Sequence, residues 1–431
     1  MLSSILISTS DRDCTDENHD DGKAESRARH GSMVARRSRR RTPHLLALRN
    51  EIVIMWTTVA RMARDGVRVR AAVCRAPGEP LSIEDVVLEP PQHDEVRVAV
   101  DAVAICHSDL SYIDGHWATS LPAVFGHEAV GRVVEGGPGV TLPVGTRVVI
   151  TLVRHCSTCR SCLNGRPATC EQVTDLGPNS PLRSPSGEAI TRGLRCGAFA
   201  EQVVVHRSQL VPVDDSLSDA AAALLACGVI TGVGAVLNTD RVTVGDSVVV
   251  IGCGGVGLNV IQGAVLAGAY PIVAVDASDS KSEIAVRLGA SHFSSPSEAA
   301  DVVTRATNGR GADHVFVATG APAAFRSASD LVAVNGSLVI VGMPPDGTTI
   351  SVDPSVLAGA GRRILGSKMG SSDPPVDIPE LVDHARAGDL ELEALISDTF
   401  TLDEIESALD GVRSGSALRN VVVIGGRHEN H

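Results

Sequence analysis

From Val67 onward the chain alternates short apolar runs with Pro and Gly. Val67 to Cys74, Leu81 to Val87 and Glu95 to Ile105 are rich in Val and Ile and are separated by turn residues, which predicts consecutive strands. Ala129 to Val134, Thr146 to Thr151 and Ala198 to Val205 continue the series, so the chain reads as mostly β with long loops up to about residue 225. The period then changes. Ser247 to Ile251 predicts a strand, Val256 to Ala267 a helix, Pro271 to Asp276 a strand and Ser280 to Leu288 a helix. Further strands are expected at His314 to Ala318, Ser337 to Val341 and Arg363 to Gly366, with one more that the pattern does not place. Strands joined by crossover helices make a doubly wound parallel sheet, so the fold class is α/β with a second, mostly-β domain. The tail predicts helices at Asp377 to Ala387 and Leu402 to Val412 and a closing strand at Asn420 to Ile424 that returns to the first domain. The expected organisation is a leader over 1–65, a β domain over 66–226, a nucleotide-type domain over 227–368 and the return over 369–425.

A length of 431 residues is enough for two to three domains. The 2% aromatic content disfavours a nucleic-acid stacking surface, and no apolar run reaches the ~20 residues needed to cross a bilayer. The net charge of −13 is uneven: residues 1–65 hold 12 Arg/Lys against 9 Asp/Glu, which leaves −16 on the rest. An acidic body argues against a polyanionic partner. The basic run from Arg27 to Arg41 reads either as a nucleic-acid or membrane-surface arm or as a disordered leader, and its patternless flanks favour the leader. Arg49 and Glu51 interrupt the apolar stretch that a secretory signal would need, so the expected location is cytoplasmic. Met55 and Met62 are candidate alternative translation starts.

Val248 to Ile251 leads directly into Gly252-Cys253-Gly254-Gly255-Val256-Gly257 and then an apolar helix. This is G-x-G-x-x-G in the context that binds a dinucleotide: Gly252 for the turn, Gly254 for approach of a pyrophosphate, Gly257 for close helix packing. Asp276 follows 19 residues later at the end of the next strand, where a carboxylate accepts from a ribose 2′-hydroxyl and repels a 2′-phosphate. NAD is therefore favoured over NADP. Lys281 either reaches the same ribose or is a solvated surface lysine.

Eight of the ten Cys lie between residues 106 and 253. Cys156, Cys159, Cys162 and Cys170 form C-x2-C-x2-C-x7-C, a spacing that suits a closed, structural zinc site better than a ferredoxin-type cluster. Cys106, His127 and Cys227 are far apart. Spacing alone does not assemble them, and isolated Cys and His are more often inert core residues.

Taken with Gly126-His127-Glu128, Cys227-Gly228, the four-Cys lobe, Gly252 to Gly257 and Asp276, the chain resembles the zinc-dependent alcohol dehydrogenases of the medium-chain dehydrogenase/reductase superfamily over about residues 67–424. Cys106-His107-Ser108-Asp109-Leu110-Ser111-Tyr112 and Leu225-Ala226-Cys227-Gly228-Val229 are most similar to the class III-like branch, which includes thiol-dependent formaldehyde dehydrogenases and nicotinoprotein alcohol dehydrogenases. The resemblance implies a GroES-like catalytic domain and a Rossmann domain. It also implies two zinc ions per subunit, one on Cys106, His127 and Cys227 and one on the four-Cys lobe, with NAD as cofactor. Ser108 would then accept the alcohol proton, Asp109 would orient His127, and Glu128 would either approach the metal or form an ion pair beside it. His107 and Arg419 match positions that contact the cofactor phosphates, and Gly255 and Val256 open the cofactor-binding helix. Ser111 stands where many relatives carry a relay His. Expected partners are a small alcohol or aldehyde and a second copy of the chain, as dimer or tetramer, with no nucleic acid and no membrane. Trp117 and Leu152 are candidates for the pocket wall, and the Pro/Ser/Gly-rich Cys170 to Phe199 segment reads as a surface loop. Two alternatives remain in view: a non-catalytic zinc- and nucleotide-binding redox sensor, and a zinc-free quinone reductase.

Overall fold

The computed structural model describes residues 66–172 and 180–425. The basic run and the alternative starts lie outside them.

Eighteen strands are present among these residues. β1 (Val67–Cys74), β2 (Ser82–Leu88), β4 (Ala123–Val124), β7 (Leu182–Arg183) and β8 (Ala189–Arg192) close a small barrel. Beside it, β10 (Leu210–Pro212), β6 (Arg147–Ile150), β5 (Glu128–Gly136), β3 (Glu95–Ala104), β18 (Arg419–Val423) and β17 (Ile396–Phe400) form a sheet in that order, with β9 (Gln202–His206) also paired to β3. Alternating burial along β3 shows why it is central: every second side chain enters the core, where Val96, Val98 and Val100 are fully covered. The third sheet is wholly parallel, in the order β13 (His292–Ser294), β12 (Ile272–Val275), β11 (Val248–Ile251), β14 (Ala312–Val317), β15 (Val332–Ile340) and β16 (Arg363–Gly366). In chain order this is 3-2-1-4-5-6, the doubly wound arrangement whose ligand crevice lies at the carboxyl end of the first strand. Both faces of its inner strands are covered, so β11 and β12 read as unbroken Val/Ile/Ala runs. The strand that the pattern did not place is β13, three residues at the sheet edge.

Three expectations need correction. The segment read as a surface loop contributes β7 and β8 to the barrel, with Leu182, Ile190 and Arg192 buried; only 173–179 lie outside the described residues. Strands of two to four residues are too short for their alternation to emerge from Pro, Ser and Gly. Asp219–Asp240 is a helical segment of 22 residues, long and apolar enough to span a bilayer, but its most apolar stretch is 89% buried inside the protein, so it is a core helix. It also runs straight through the expected 226/227 boundary. Its first turns pack on β3 and β5, and its later ones on helix Gly255–Leu266 and the turn Met369–Ser371. Finally, the tail holds β17 as well as the expected closing strand, and β17 lies parallel to β18. β18 pairs antiparallel with β3, which carries the end of the chain back to the β domain.

Candidate active site and metal centres

Cys106 lies two residues beyond the end of β3 and caps helix His107–Ile113. His127 precedes β5, and Cys227 sits in the π-helical turn Leu225–Val229 of the long core helix. Such turns widen a helix locally and recur at functional sites. The fold brings these three together: the ligand atoms of Cys106, His127, Glu128 and Cys227 all lie within 4.8 Å of one another, and all four residues are buried.

Hydrogen bonds around the group orient it. His127 Nδ1 donates to Asp109 Oδ1 at 3.0 Å, and the same oxygen accepts from the Gly126 N–H at 3.0 Å. Asp109 Oδ2 accepts from the Cys106 N–H at 3.2 Å, so one buried carboxylate ties two of the three residues. With Nδ1 committed, His127 Nε2 is buried without a partner among the described residues. A lone imidazole nitrogen aimed at two thiols fits a metal ion, because the unpaired acceptor would otherwise carry an uncompensated desolvation cost. The Cys106 thiol is held well below the ordinary range, first by the hydrogen bond from Cys227, against the opposing effect of burial, with His127 adding to the pull. Burial opposes charge on His127, yet the adjoining Asp109 carboxylate raises its pKa. Glu128 is engaged elsewhere: Oε1 accepts from Arg419 Nη1 at 3.0 Å and Oε2 from the Gly228 N–H at 3.2 Å. Burial pushes its carboxyl up to about 8 in spite of Arg419. The expected ion pair of Glu128 is present, and the same carboxylate lies within 4.8 Å of the ligand atoms of Cys106, His127 and Cys227.

The second cluster is Cys156, Cys159, Cys162 and Cys170, whose sulfurs also lie within 4.8 Å of one another. Individual separations are 3.4 Å (Cys159 to Cys162), 3.9 Å (Cys159 to Cys170) and 4.0 Å (Cys156 to Cys162). Four thiolates on a tetrahedral zinc stand about 3.8 Å apart, so the quartet suits one closed site. The Thr158 hydroxyl and N–H both donate to Cys156 and bring its thiol down to about 6.

One cavity of about 1730 Å³ reaches both Cys106 and Cys227 of the buried trio and the Gly-rich turn. It is lined by Cys106, His107, Ser108, Cys227, Gly252, Gly254, Gly255, Val256, Asp276, Lys281 and Arg419 among others. The glycines have separate reasons. Gly252 has φ +96, and a Cβ on Gly257 would stand 1.7 Å from the Gly252 carbonyl oxygen. A Cβ on Gly254 would meet no protein atom within 4 Å, so this glycine leaves room for a ligand rather than for the chain. A Cβ on Gly255 would strike Arg419 Nε at 2.0 Å. Arg419 thus links the nucleotide turn to Glu128. Asp276 follows β12, with Oδ2 accepting from the Cys253 N–H at 2.6 Å and Oδ1 from the Ser278 N–H at 2.9 Å. Lys281 is not a solvated lysine: it is 7% exposed and faces the cavity.

Ser108 faces the cavity, and its hydroxyl makes no hydrogen bond among the described residues. Ser111 donates to the His107 carbonyl at 3.0 Å. His116, Trp117 and Leu152 line the cavity, and Tyr112 stacks on Phe125 and meets Trp117 edge-on. The sequence reading missed Thr231, Met369, Arg195 and Lys368, which also line it. Met369 Sδ lies 3.8 Å from Cys227 Sγ and 3.7 Å from Thr231 Oγ1. Thr231 is one helical turn beyond Cys227, a spacing that was available in the sequence. The other three carry no signal of their own.

Residues 92–215 match the alcohol dehydrogenase GroES-like domain and residues 255–386 the zinc-binding dehydrogenase family. The chain is 35% identical to an S-(hydroxymethyl)glutathione dehydrogenase of Paracoccus denitrificans, over 83% of this chain and 100% of the relative. It is 34% identical to an NDMA-dependent alcohol dehydrogenase of Amycolatopsis methanolica, over 83% and 99%. Among solved structures it is similar to benzyl alcohol dehydrogenase from Acinetobacter calcoaceticus, with a TM-score of 0.78 and 32% identity over 83% of this chain and 99% of that one. These relatives are named as dehydrogenases, which leaves the non-catalytic and zinc-free alternatives without support. The chain belongs to the zinc-dependent alcohol dehydrogenase family of the medium-chain dehydrogenase/reductase superfamily, in its class III-like branch, and is an oxidoreductase.

Proposed function

We propose that this enzyme transfers a hydride between a primary alcohol, or a thiol-hemiacetal adduct, and NAD, using Cys106, His127 and Cys227 as the ligands of a catalytic zinc. The observation that carries the reading is the unpartnered His127 Nε2, buried between two thiols beside the cavity that also reaches Gly254 and Asp276. Zinc held there, with one position open, would polarise a substrate oxygen and lower the pKa of its hydroxyl. Hydride acceptance is chemistry that NAD supplies.

The chain's own residues do the rest. Asp109 fixes the His127 tautomer and leaves Nε2 as the acceptor. Ser108, with a free hydroxyl at the cavity wall, takes the substrate proton. Ser111 is turned to a backbone carbonyl, so the proton leaves through cavity water rather than through that hydroxyl. Asp276 selects a 2′-hydroxyl over a 2′-phosphate, and Arg419 presents its guanidinium between Glu128 and the turn that would hold the pyrophosphate. His107 and Lys281 add donors on the same wall. The Cys156, Cys159, Cys162 and Cys170 lobe holds a second, structural zinc with no open position.

A cytoplasmic site of action is in keeping with the bacterial dehydrogenase relatives and with thiols that must stay reduced. β16 ends the parallel sheet with an open edge and an exposed Ile364, which suits pairing with a second copy of the chain.

The test is steady-state oxidation of a panel of primary alcohols, and of formaldehyde with and without glutathione or mycothiol, with NAD and with NADP. Turnover with NAD and little with NADP is the expected result. No turnover across the panel, in protein shown to hold zinc, would overturn the reading.

A further inference from the structure

A second cavity, of about 710 Å³, opens beside the four-Cys lobe and shares no lining residue with the first. Arg154 and His155 reach it from the segment between β6 and the lobe, and His206 from the end of β9. Asp94 is the one carboxylate in its described lining. That charge is already met: Arg207 Nε donates to Asp94 Oδ1 at 2.9 Å, and His93 Nδ1 lies 2.9 Å from Oδ2. Arg154 makes no side-chain hydrogen bond or ion pair among the described residues, so its positive charge is the surplus at this wall.

Hydrogen-bond donors accompany that charge. The Ser208 N–H donates to His206 Nδ1 at 3.2 Å, and the Ser208 hydroxyl lies 2.8 Å from the same nitrogen. An accepting Nδ1 leaves the ring proton on Nε2, which makes no hydrogen bond among the described residues. Ser208 Oγ also accepts from the His155 N–H at 3.1 Å, so one serine ties both histidine segments together at the cavity. The His155 side chain has no hydrogen bond among the described residues, and its Nδ1 is buried. A buried ring nitrogen without a partner costs free energy that a ligand in contact with it recovers. Another part of the lining is apolar: Val140, Leu142 and Pro143, from the loop between β5 and β6. Cys156 and Cys170 of the lobe complete the picture, because both line the same cavity.

We propose that Arg154, His155 and His206 bind a phosphate group in this second cavity, and that the bound phosphate holds the four-Cys lobe closed on its zinc. The guanidinium fork makes charge-assisted bonds to two phosphate oxygens, and three donor groups match the three free oxygens of a monoester better than the two of a carboxylate. A free phosphate leaves most of the volume empty, whereas a monoester also sets its organic group on Val140, Leu142 and Pro143. His155 immediately precedes Cys156, so a ligand that binds only the closed lobe opposes its opening by mass action.

The experiment titrates the zinc-loaded protein with inorganic phosphate and with phenyl phosphate by calorimetry, with NADH saturating so that the nucleotide turn is filled. At least one of the two should bind, and the tighter one tells whether the source is free phosphate or a monoester. Arg154→Gln should raise its Kd about tenfold or more, and His206→Asn by a smaller factor, with kcat for alcohol oxidation unchanged in both. On the unaltered protein the same compound should slow the loss of one of the two zinc ions to a chromogenic chelator by about threefold or more, where sodium chloride of equal ionic strength does not. No binding of either compound, or a Kd unchanged in both variants, would overturn the site. Equal rates of zinc loss in phosphate and in chloride would overturn its hold on the lobe. The release rates need no substitution, so they decide the matter even where a variant folds poorly.

Discussion

Asp109 and His127 form a fully buried pair, with the imidazole Nδ1 3.0 Å from the carboxylate Oδ1. The carboxylate accepts a hydrogen bond from one ring N–H and so decides which nitrogen faces Cys106 and Cys227. It also accepts from the Cys106 and Gly126 N–H groups, so the strand end, the helix start and the residue before His127 are drawn to one point.

Replacing Asp109 by Ala should therefore weaken zinc binding at this site by about 10- to 100-fold without displacing the lobe zinc. Competition against a zinc chelator reads the affinity directly. An unchanged affinity would show that the carboxylate does not position His127.

Ser108→Ala removes the only step assigned to that hydroxyl. The expected loss in kcat is roughly 100-fold or more, with zinc content retained and KM little changed. Unchanged turnover would remove Ser108 from the mechanism.

Asp276→Ala should raise the Kd for NAD by roughly tenfold and narrow the preference over NADP, since the variant loses a charged acceptor and the repulsion of a 2′-phosphate. Binding by cofactor fluorescence checks both halves. A preference that survives the substitution would place the selectivity elsewhere.

Much of this site could be read before the fold was known, for reasons that differ by residue. Gly252, Gly254, Gly257 and Asp276 announce themselves because a dinucleotide turn needs those residues at fixed offsets from a strand. The four-Cys lobe is local, so its spacing survives in one dimension. Cys106, His127 and Cys227 became a group only through the family resemblance. Arg195, Lys368 and Met369 were invisible, because nothing in their neighbours marks a cavity wall. The helix Asp219–Asp240 escaped for a related reason: buried on nearly every side, it shows no polar stripe and therefore no period. β17 escaped because its Ser397, Asp398 and Thr399 are exposed and break the apolar signal.

A buried network at the far end of that helix predicts a pH effect on stability. His314 Nδ1 lies 2.5 Å from Asp240 Oδ2, and its Nε2 lies 3.2 Å from Asp246; Ser337 also donates to Asp240, and Arg363 is 3.6 Å away. Burial opposes the imidazolium, but Asp240 and Asp246 raise its pKa above the ordinary value. A raised folded pKa adds stability that is complete below the unfolded value of about 6.5 and is lost as pH rises through the folded value. The melting-temperature advantage of the unaltered protein over His314→Gln should accordingly shrink as pH rises above about 6.5. A gap that stays constant or widens would contradict the assignment.

Zinc per chain, by elemental analysis of protein purified without chelator, bears on everything above. The unaltered chain should hold about two ions, Cys227→Ser about one with turnover lost, and Cys159→Ser about one with a lowered melting temperature. One ion or none in the unaltered chain, or two retained in Cys227→Ser, would mean that Cys106, His127 and Cys227 do not hold a metal, and the catalytic assignment would fall.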